Sequence, residues 1–378
     1  MSETVKKFLR HCTIVLFAFF AMGLLASLAL NMTFLSPIAH TMSDFSLTDI
    51  YYHVQQEYGR VDTSRVITIV DMTDLSERSQ IADAYEEIMA LSPKAVGVDV
   101  VYEGLKQDSI SDMKLMELAD KYPNAVYSYR MLDYVNDTIG YTNEIHSFFS
   151  GFTGAKEGFT NFERTLYGGL KRKVSLRRQC MGEERTSLVY EVAKLYSEGK
   201  LIDNGKTDVS VNFRPTEFRI VPSDSIKYYK DLIKDHVVLF GAMNELADMH
   251  YTPLGEMAGV KLLAYSIQTL LEQTEVRHLP GWLTAIISFI IVLVTYLWRK
   301  GYMKWAKSNK SEWMRFFLTS TFVVGIVLFI WSAFLVWLTF LIFMTTDISI
   351  NLGWAMAAIP FIGGAGEFYG LTLRRCFG

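Results

Sequence analysis

Residues 66–99 read VITIVDMTDLSERSQIADAYEEIMALSPKAVGVD, and this stretch decides the fold. Residues 66–70 are a short β-branched apolar run that stops at Asp71, the pattern of a buried strand. Residues 76–91 then place Ile81, Ala84, Tyr85, Ile88 and Leu91 on one face of a helix, which Pro93 ends. Residues 94–98 form a second apolar strand that stops at Asp99. Strand, helix and strand of these lengths predict a parallel pair with a crossover helix.

Working outward, the alternation continues. Residues 115–122 belong to a second helix, stopped at Pro123, and 124–129 are a third strand. Residues 130–175 are less periodic and glycine-containing, and read as loops with short strands. Further on, 171–180 reads as a strand and 186–199 as a helix. Residues 209–213 and 218–221 read as short strands. A buried strand at 236–240 precedes Gly241. The helix expected over 259–271 puts Val260, Leu263, Ala264, Ile267 and Leu271 on one face. The expected class is α/β: an α/β/α sandwich over residues 35–279 with a largely parallel sheet.

The flanks are apolar. Runs at 12–34, 280–298, 316–344 and 345–373 are each of a length to cross a bilayer, one N-terminal and three C-terminal. The last is interrupted by Pro360. Basic residues precede the first run (Lys6, Lys7, Arg10), fill the loop 299–315 and follow the fourth run (Arg374, Arg375). All three groups face the cytoplasm if the 35–279 domain lies outside. Both termini are then cytoplasmic. The alternative for the first run is a signal peptide cleaved near Ser27-Leu28-Ala29.

Residues 1–34 carry a net +2 and 280–378 a net +5, leaving −10 on the external domain. A domain so acidic lacks the footprint for nucleic acid. Cys12 and Cys376 sit at membrane ends and Cys180 alone outside, so no disulfide forms within the external domain. No zinc spacing occurs, no metal or cofactor is expected, and no catalytic motif is found.

Several runs are similar to a known family. Residues 66–71, Arg78 and the run from Pro93 to Asp99 resemble the opening of a CHASE2 domain. Residues 158–162, 169–172 and Ser175-Leu176 resemble its middle motif. Residues 237–241, Asp248, Thr252-Pro253, Gly259-Val260 and Ala264 resemble the series before its first C-terminal membrane helix. The chain departs from the pattern twice. Asp74-Leu-Ser-Glu-Arg78 follows the first strand without the usual Gly and Pro-Trp, and Leu166-Tyr-Gly168 replaces an acidic pair. The resemblance implies an extracellular sensory module of a bacterial inner-membrane protein. Relatives are usually fused to histidine kinases, nucleotide cyclases or serine/threonine kinases. Because residues end at Gly378, the expectation is a stand-alone form whose signal passes to a separate partner, with a scaffold subunit of an envelope complex as the alternative.

Asp71 and Asp99 end two strands expected to be neighbours, at the carboxyl edge where open α/β sheets bind ligands. There they either contact a cationic or hydroxyl-rich ligand or cap the following turns. Asn244, Glu245, Asp248 and His250 follow another strand end and offer two or three ligating groups or a solvated loop. Arg78 is expected to pair with Asp71 or Asp99, or to meet an anion. Thr252, Pro253 and Gly259 read as a structural motif. Glu367 is the acid of the fourth run, and Gly366-x-x-x-Gly370 permits close helix packing beside it.

Overall fold

The computed structural model describes residues 2–31, 46–136, 138–162, 169–201 and 205–376. The chain divides into two units, Met1–Asp49 with Arg277–Gly378, and Ile50–Val276. Helix α1 (Glu3–Asn31) opens the first unit, and α2 (Leu47–Tyr58) contains the boundary.

The second unit runs β1 (Asp62–Asp71), α3 (Arg78–Ala90), β2 (Ala95–Val98), α4 (Ser109–Lys121), β3 (Ala125–Asn136), β4 (Gly140–Ile145) and β5 (Lys156–Phe159). It continues through β6 (Lys173–Ser175), β7 (Arg177–Cys180), β8 (Glu183–Thr186), α5 (Leu188–Tyr196), β9 (Asp208–Ser210) and β10 (Thr216–Pro222). It closes with α6 (Lys230–Ile233), β11 (Val237–Gly241), β12 (Met249–Thr252), β13 (Gly255–Ala258) and α7 (Gly259–Glu272).

The main sheet has nine strands among the described residues, in the order β10-β1-β11-β2-β3-β4-β7-β8, with β5 also on β3. β10, β1, β11, β2, β3 and β5 run parallel. β4 turns back antiparallel on the far half of β3, and β7 pairs antiparallel with β8. β2 and β11 are buried along their whole length, as strands covered on both faces must be. Ile81, Ala84, Tyr85 and Ile88 of α3 join Leu115 and Leu118 of α4 in the core on one face. On the other, Leu188 and Val192 of α5 approach Gly97, where an added Cβ would lie 3.5 and 3.1 Å from them. The α/β/α arrangement is thus present, with a mixed sheet. The third strand, expected over 124–129, is longer: β3 runs twelve residues to Asn136, and its second half pairs with β4 within the stretch expected to hold loops with short strands.

Strand order corrects one expectation. β11 lies between β1 and β2, with Asp71 opposite Gly241 and Val98 opposite Phe240. Asp71 and Asp99 therefore end strands that are not neighbours. The reason is topological, since the strand that separates them comes from late in the chain.

The first unit resumes at β14 (Arg277–His278) and α8 (Gly281–Lys307), then α9 (Glu312–Thr319), α10 (Thr321–Thr346), β15 (Ile348–Ser349), α11 (Gly353–Ala358) and α12 (Ile362–Cys376). Among the described residues three helices, not four, are long and apolar enough to cross a membrane: Glu3–Leu25, Gly281–Lys307 and Thr321–Thr346. The expected fourth span is broken. A 3-10 turn, Ile359–Phe361, separates α11 from α12 at Pro360, which has no N–H to give to the helix ladder. β14 pairs with β15, so the start of α8 and the end of α10 share one end of the unit. The opposite end collects basic residues. Arg10 stacks on Tyr369, His11 lies 5.4 Å from Tyr296, and a Cβ on Gly363 would come within 2.9 Å of Arg299. The helix contacts also shift from those expected. Gly363 and Gly366 face α8, with a Cβ on Gly366 lying 3.7 Å from Tyr296, whereas Gly370 has nothing within 4 Å. Glu367 is exposed.

Candidate ligand site at the carboxyl edge of the sheet

Asp71 ends β1 and turns its side chain onto the next loop. Its Oδ1 accepts from the Thr73 N–H (2.9 Å), the Thr73 hydroxyl (2.6 Å) and the Met243 N–H (3.1 Å). Thr73 Oγ1 in turn accepts from the N–H groups of Met243 (3.0 Å) and Asn244 (3.2 Å). The capping role holds for Asp71, and it reaches across to the loop that leaves β11. Asn244 contributes its backbone to this knot, and its side chain is exposed.

Beside Asp71 opens a groove of about 530 Å³ between the ends of β1 and β10 and the flank of α3. Asp71, Asp74, Asp83, Glu87 and Asp224 line it with Gln80, and its lining has no Lys or Arg. Its volume is in the range of small-molecule sites. Lys114 offsets part of the charge from outside the lining, at 2.6 Å from Asp83. Asp83 and Glu87 lie four apart on the polar face of α3, a spacing readable in the sequence. Asp224 joins them only because β10 pairs with β1.

Asp99 lies on the other side of β11 and is partly buried. Its N–H donates to the Phe240 carbonyl at 2.9 Å, while its carboxyl has no hydrogen-bond partner among the described residues. Burial, and then the charges of Asp248 and Glu245, push its pKa up to about 7. Asp248 follows the β11 loop and sits on the first turn of α7. A Cβ on Gly259 would fall 2.1 Å from Asp248 Oδ2, so a methyl there would displace the carboxylate from its place at the helix N-terminus. Oδ1 of Asp248 pairs with His250 Nε2 at 3.1 Å, and Phe162 packs edge-on against the His250 ring. Among the described residues no His, Cys, Asp and Glu group has metal-holding geometry. Thr252 and Pro253 are buried and close the β12–β13 hairpin. Thr252 Oγ1 donates to the Gly255 carbonyl (2.8 Å) and accepts from the Leu254 N–H (3.2 Å).

Arg78 is held internally, but not by the partners expected. Its guanidinium pairs with Asp112 of α4, donates to the carbonyls of Glu103 (3.1 Å) and Gly104 (2.7 Å), and stacks on Phe148 at 4.8 Å. Asp112 also accepts from the Lys106 N–H at 2.7 Å. The pair pins the 99–108 loop over α3 and α4, away from Asp71. Asp112 was not singled out in the sequence, where it precedes the stretch 115–122 expected as helix; the structure puts it in the first turn of α4. Leu166-Tyr-Gly168 falls outside the described residues.

The CHASE2 domain family matches residues 17–297, about three-quarters of the chain, so the chain belongs to that family. No curated protein and no solved structure matches it. A CHASE2 sensor-type domain joined to candidate membrane helices fits a membrane sensor.

Proposed function

We propose that this chain is a non-catalytic extracytoplasmic sensor anchored in a bacterial inner membrane. It takes a small cationic or hydroxyl-rich ligand in the acidic groove and passes the change to a separate signalling protein. The observation that carries the reading is a chain of contacts. Asp71 lines the groove, and Asp71 and Thr73 hold the backbone of Met243 and Asn244. The same loop leads to Asp248, which rests on the first turn of α7. In sequence α7 runs through residues 273–280 into α8. A ligand that draws on Asp71 would alter the seat of α7. The basic end shared by α1, α8 and α12 supports an orientation with both termini in the cytoplasm.

The test is calorimetric titration of the full chain in nanodiscs with organic cations, from ethanolamine to spermidine. Binding weakened about tenfold or more by Asp83→Asn with Glu87→Gln supports the reading. Equal binding by the neutralised variant, or none by the wild type, removes the cationic ligand. A second reading is a scaffold subunit, or a receptor subunit that pairs with a full-length CHASE2 kinase or cyclase. It is favoured by the internal bonding of Asp71 and Arg78. It predicts co-purification with such a protein that neutralising the groove leaves unchanged.

A further inference from the structure

The apolar run 316–344 is divided in the structure. Ser320 leaves the helical backbone (φ −62°, ψ 141°), ending α9 and capping α10, and its hydroxyl oxygen accepts from the Val323 N–H at 3.3 Å. Ser311 caps α9 in the same way through the Met314 N–H (3.4 Å). α9 is therefore a helix of its own between two candidate spans, α8 and α10. At helical spacing Glu312, Arg315 and Thr319 share one side, and Trp313, Met314, Phe316 and Phe317 share the other. None of its residues is buried. Trp313 and Phe316 are 70% and 78% exposed, and the Trp313 and Phe317 rings stack with centroids 5.5 Å apart. A contiguous exposed aromatic face is the mark of an interaction surface.

Its level along α8 points to what covers it. The apolar part of α8 ends at Trp298. Trp298 stacks on Tyr302 at 5.9 Å, and Tyr302 packs on Trp305 at 5.9 Å, a ladder of rings that favour a membrane interface. The Tyr302 hydroxyl donates to the Leu318 carbonyl at 3.1 Å, which ties the end of α9 to α8 at that level. Tyr302 stands four residues beyond Trp298, about 6 Å along the helix axis. That is the depth of the headgroup–acyl boundary, where amphipathic helices bury their apolar faces. Phe316 and Phe317 adjoin Leu318 in the chain and lie close to the same level.

Charge selects the lipid. Residues 299–315 hold six basic residues and one acid, Glu312, which pairs with Arg315 at 3.4 Å. Lys300, Lys304, Lys307 and Lys310 are exposed, and among the described residues none has a carboxylate within ion-pair distance. Such a run beside a span is drawn to anionic headgroups.

We propose that α9 is an interfacial helix that binds an anionic lipid surface: its aromatic face enters the headgroup–acyl boundary of the leaflet at the basic end, and Lys304, Lys307 and Lys310 hold anionic headgroups. The composition of that leaflet then acts on the connection between α8 and α10. The inference rests on α8 and α10 as spans, and not on the acidic groove.

Hydroxyl-radical footprinting of the purified full chain in nanodiscs, of phosphatidylcholine alone or mixed with phosphatidylglycerol, tests it. Phe152, 82% exposed in the other unit, is the aqueous reference, and Phe329, 75% exposed in α10, is the lipid reference. Relative to Phe152, oxidation of Trp313 and Phe316 should fall about tenfold when phosphatidylglycerol is added. Lys304→Gln, Lys307→Gln and Lys310→Gln together should abolish that dependence. Oxidation of Phe316 as strong as that of Phe152 in both lipids would leave the face open to water, fit a protein partner instead, and overturn the proposal. Low oxidation that ignores lipid charge, or a phosphatidylglycerol effect that survives the three lysine substitutions, overturns the headgroup assignment. Oxidation of Phe329 as well would remove α10 as a span, and the inference with it.

Discussion

Replacing Asp99 with Asn removes a carboxyl of the sheet edge whose proton the fold holds well above the usual carboxylate range. Its pKa rises from 3.8 to about 7, chiefly through burial and then through Asp248 and Glu245. Between those values the native state binds more protons than the unfolded state. Unfolding free energy therefore falls as pH rises through that window, and levels off above about pH 7. The full shift corresponds to ~4 kcal/mol, and the part lost between pH 5 and pH 8 is about 2–3 kcal/mol. Asn has nearly the same shape and cannot ionise. The stability of Asp99→Asn relative to wild type should thus grow by about 2–3 kcal/mol from pH 5 to pH 8. Cys180 provides the assay, because it is fully buried in the sheet. Its rate of alkylation, resolved by mass spectrometry in partially denaturing urea, reports opening of the domain. Comparing variant and wild type at each pH cancels the pH dependence of the thiol itself. A variant-to-wild-type difference that stays constant from pH 5 to pH 8 would refute the reasoning.

The same assay reaches three other sites. Asp112→Ala leaves the Arg78 guanidinium buried without its carboxylate and should cost about 3–5 kcal/mol, whereas Asp71→Ala should leave Arg78 undisturbed. Gly259→Ala should destabilise by about 1–3 kcal/mol, because the new methyl meets Asp248 Oδ2, and Asp248→Ala in the same chain should recover most of the loss. Gly158→Ala should be at least as damaging, since its methyl would lie 2.4 Å from the Leu188 backbone nitrogen, and no side-chain change can relieve it. In the first unit, Pro360→Ala should join α11 to α12, seen as slower amide exchange at residues 359–364.

Much of the fold was legible because burial leaves a local pattern. Within the runs 94–98 and 236–240, residues 95–98 and 237–240 carry no polar side chain and lie in β2 and β11, buried along their whole length. The 3.6-residue spacing of Ile81, Ala84, Tyr85 and Ile88 marks the inward face of α3, and the helix expected over 259–271 is α7 to within a residue. The long β3–β4 hairpin was not legible, because Met131 to Asn136 alternates weakly and pairs with a strand whose own residues are mostly polar. At the sheet edge, Asp71 and Asp248 were visible as strand-end acids, and both hold loops as well as lining or adjoining a site. The partner of Arg78 was not visible, since nothing near Arg78 in sequence distinguishes Asp112 from Asp71 or Asp99.

By itself the sequence determined the alternation of strands and helices, the apolar flanks, the acidic character of the segment between them and the family. Each follows from residues close in the chain, where hydrophobic periodicity and charge counts add up locally. Tertiary structure decided which charges meet. β11 comes between β1 and β2, and this one non-local pairing separates Asp71 from Asp99. It leaves Asp71 on the acidic groove and sets Asp99 beside Asp248 and the first turn of α7. Strand order is chosen by burial of whole faces across the sheet, and no window of sequence short enough to read contains that choice.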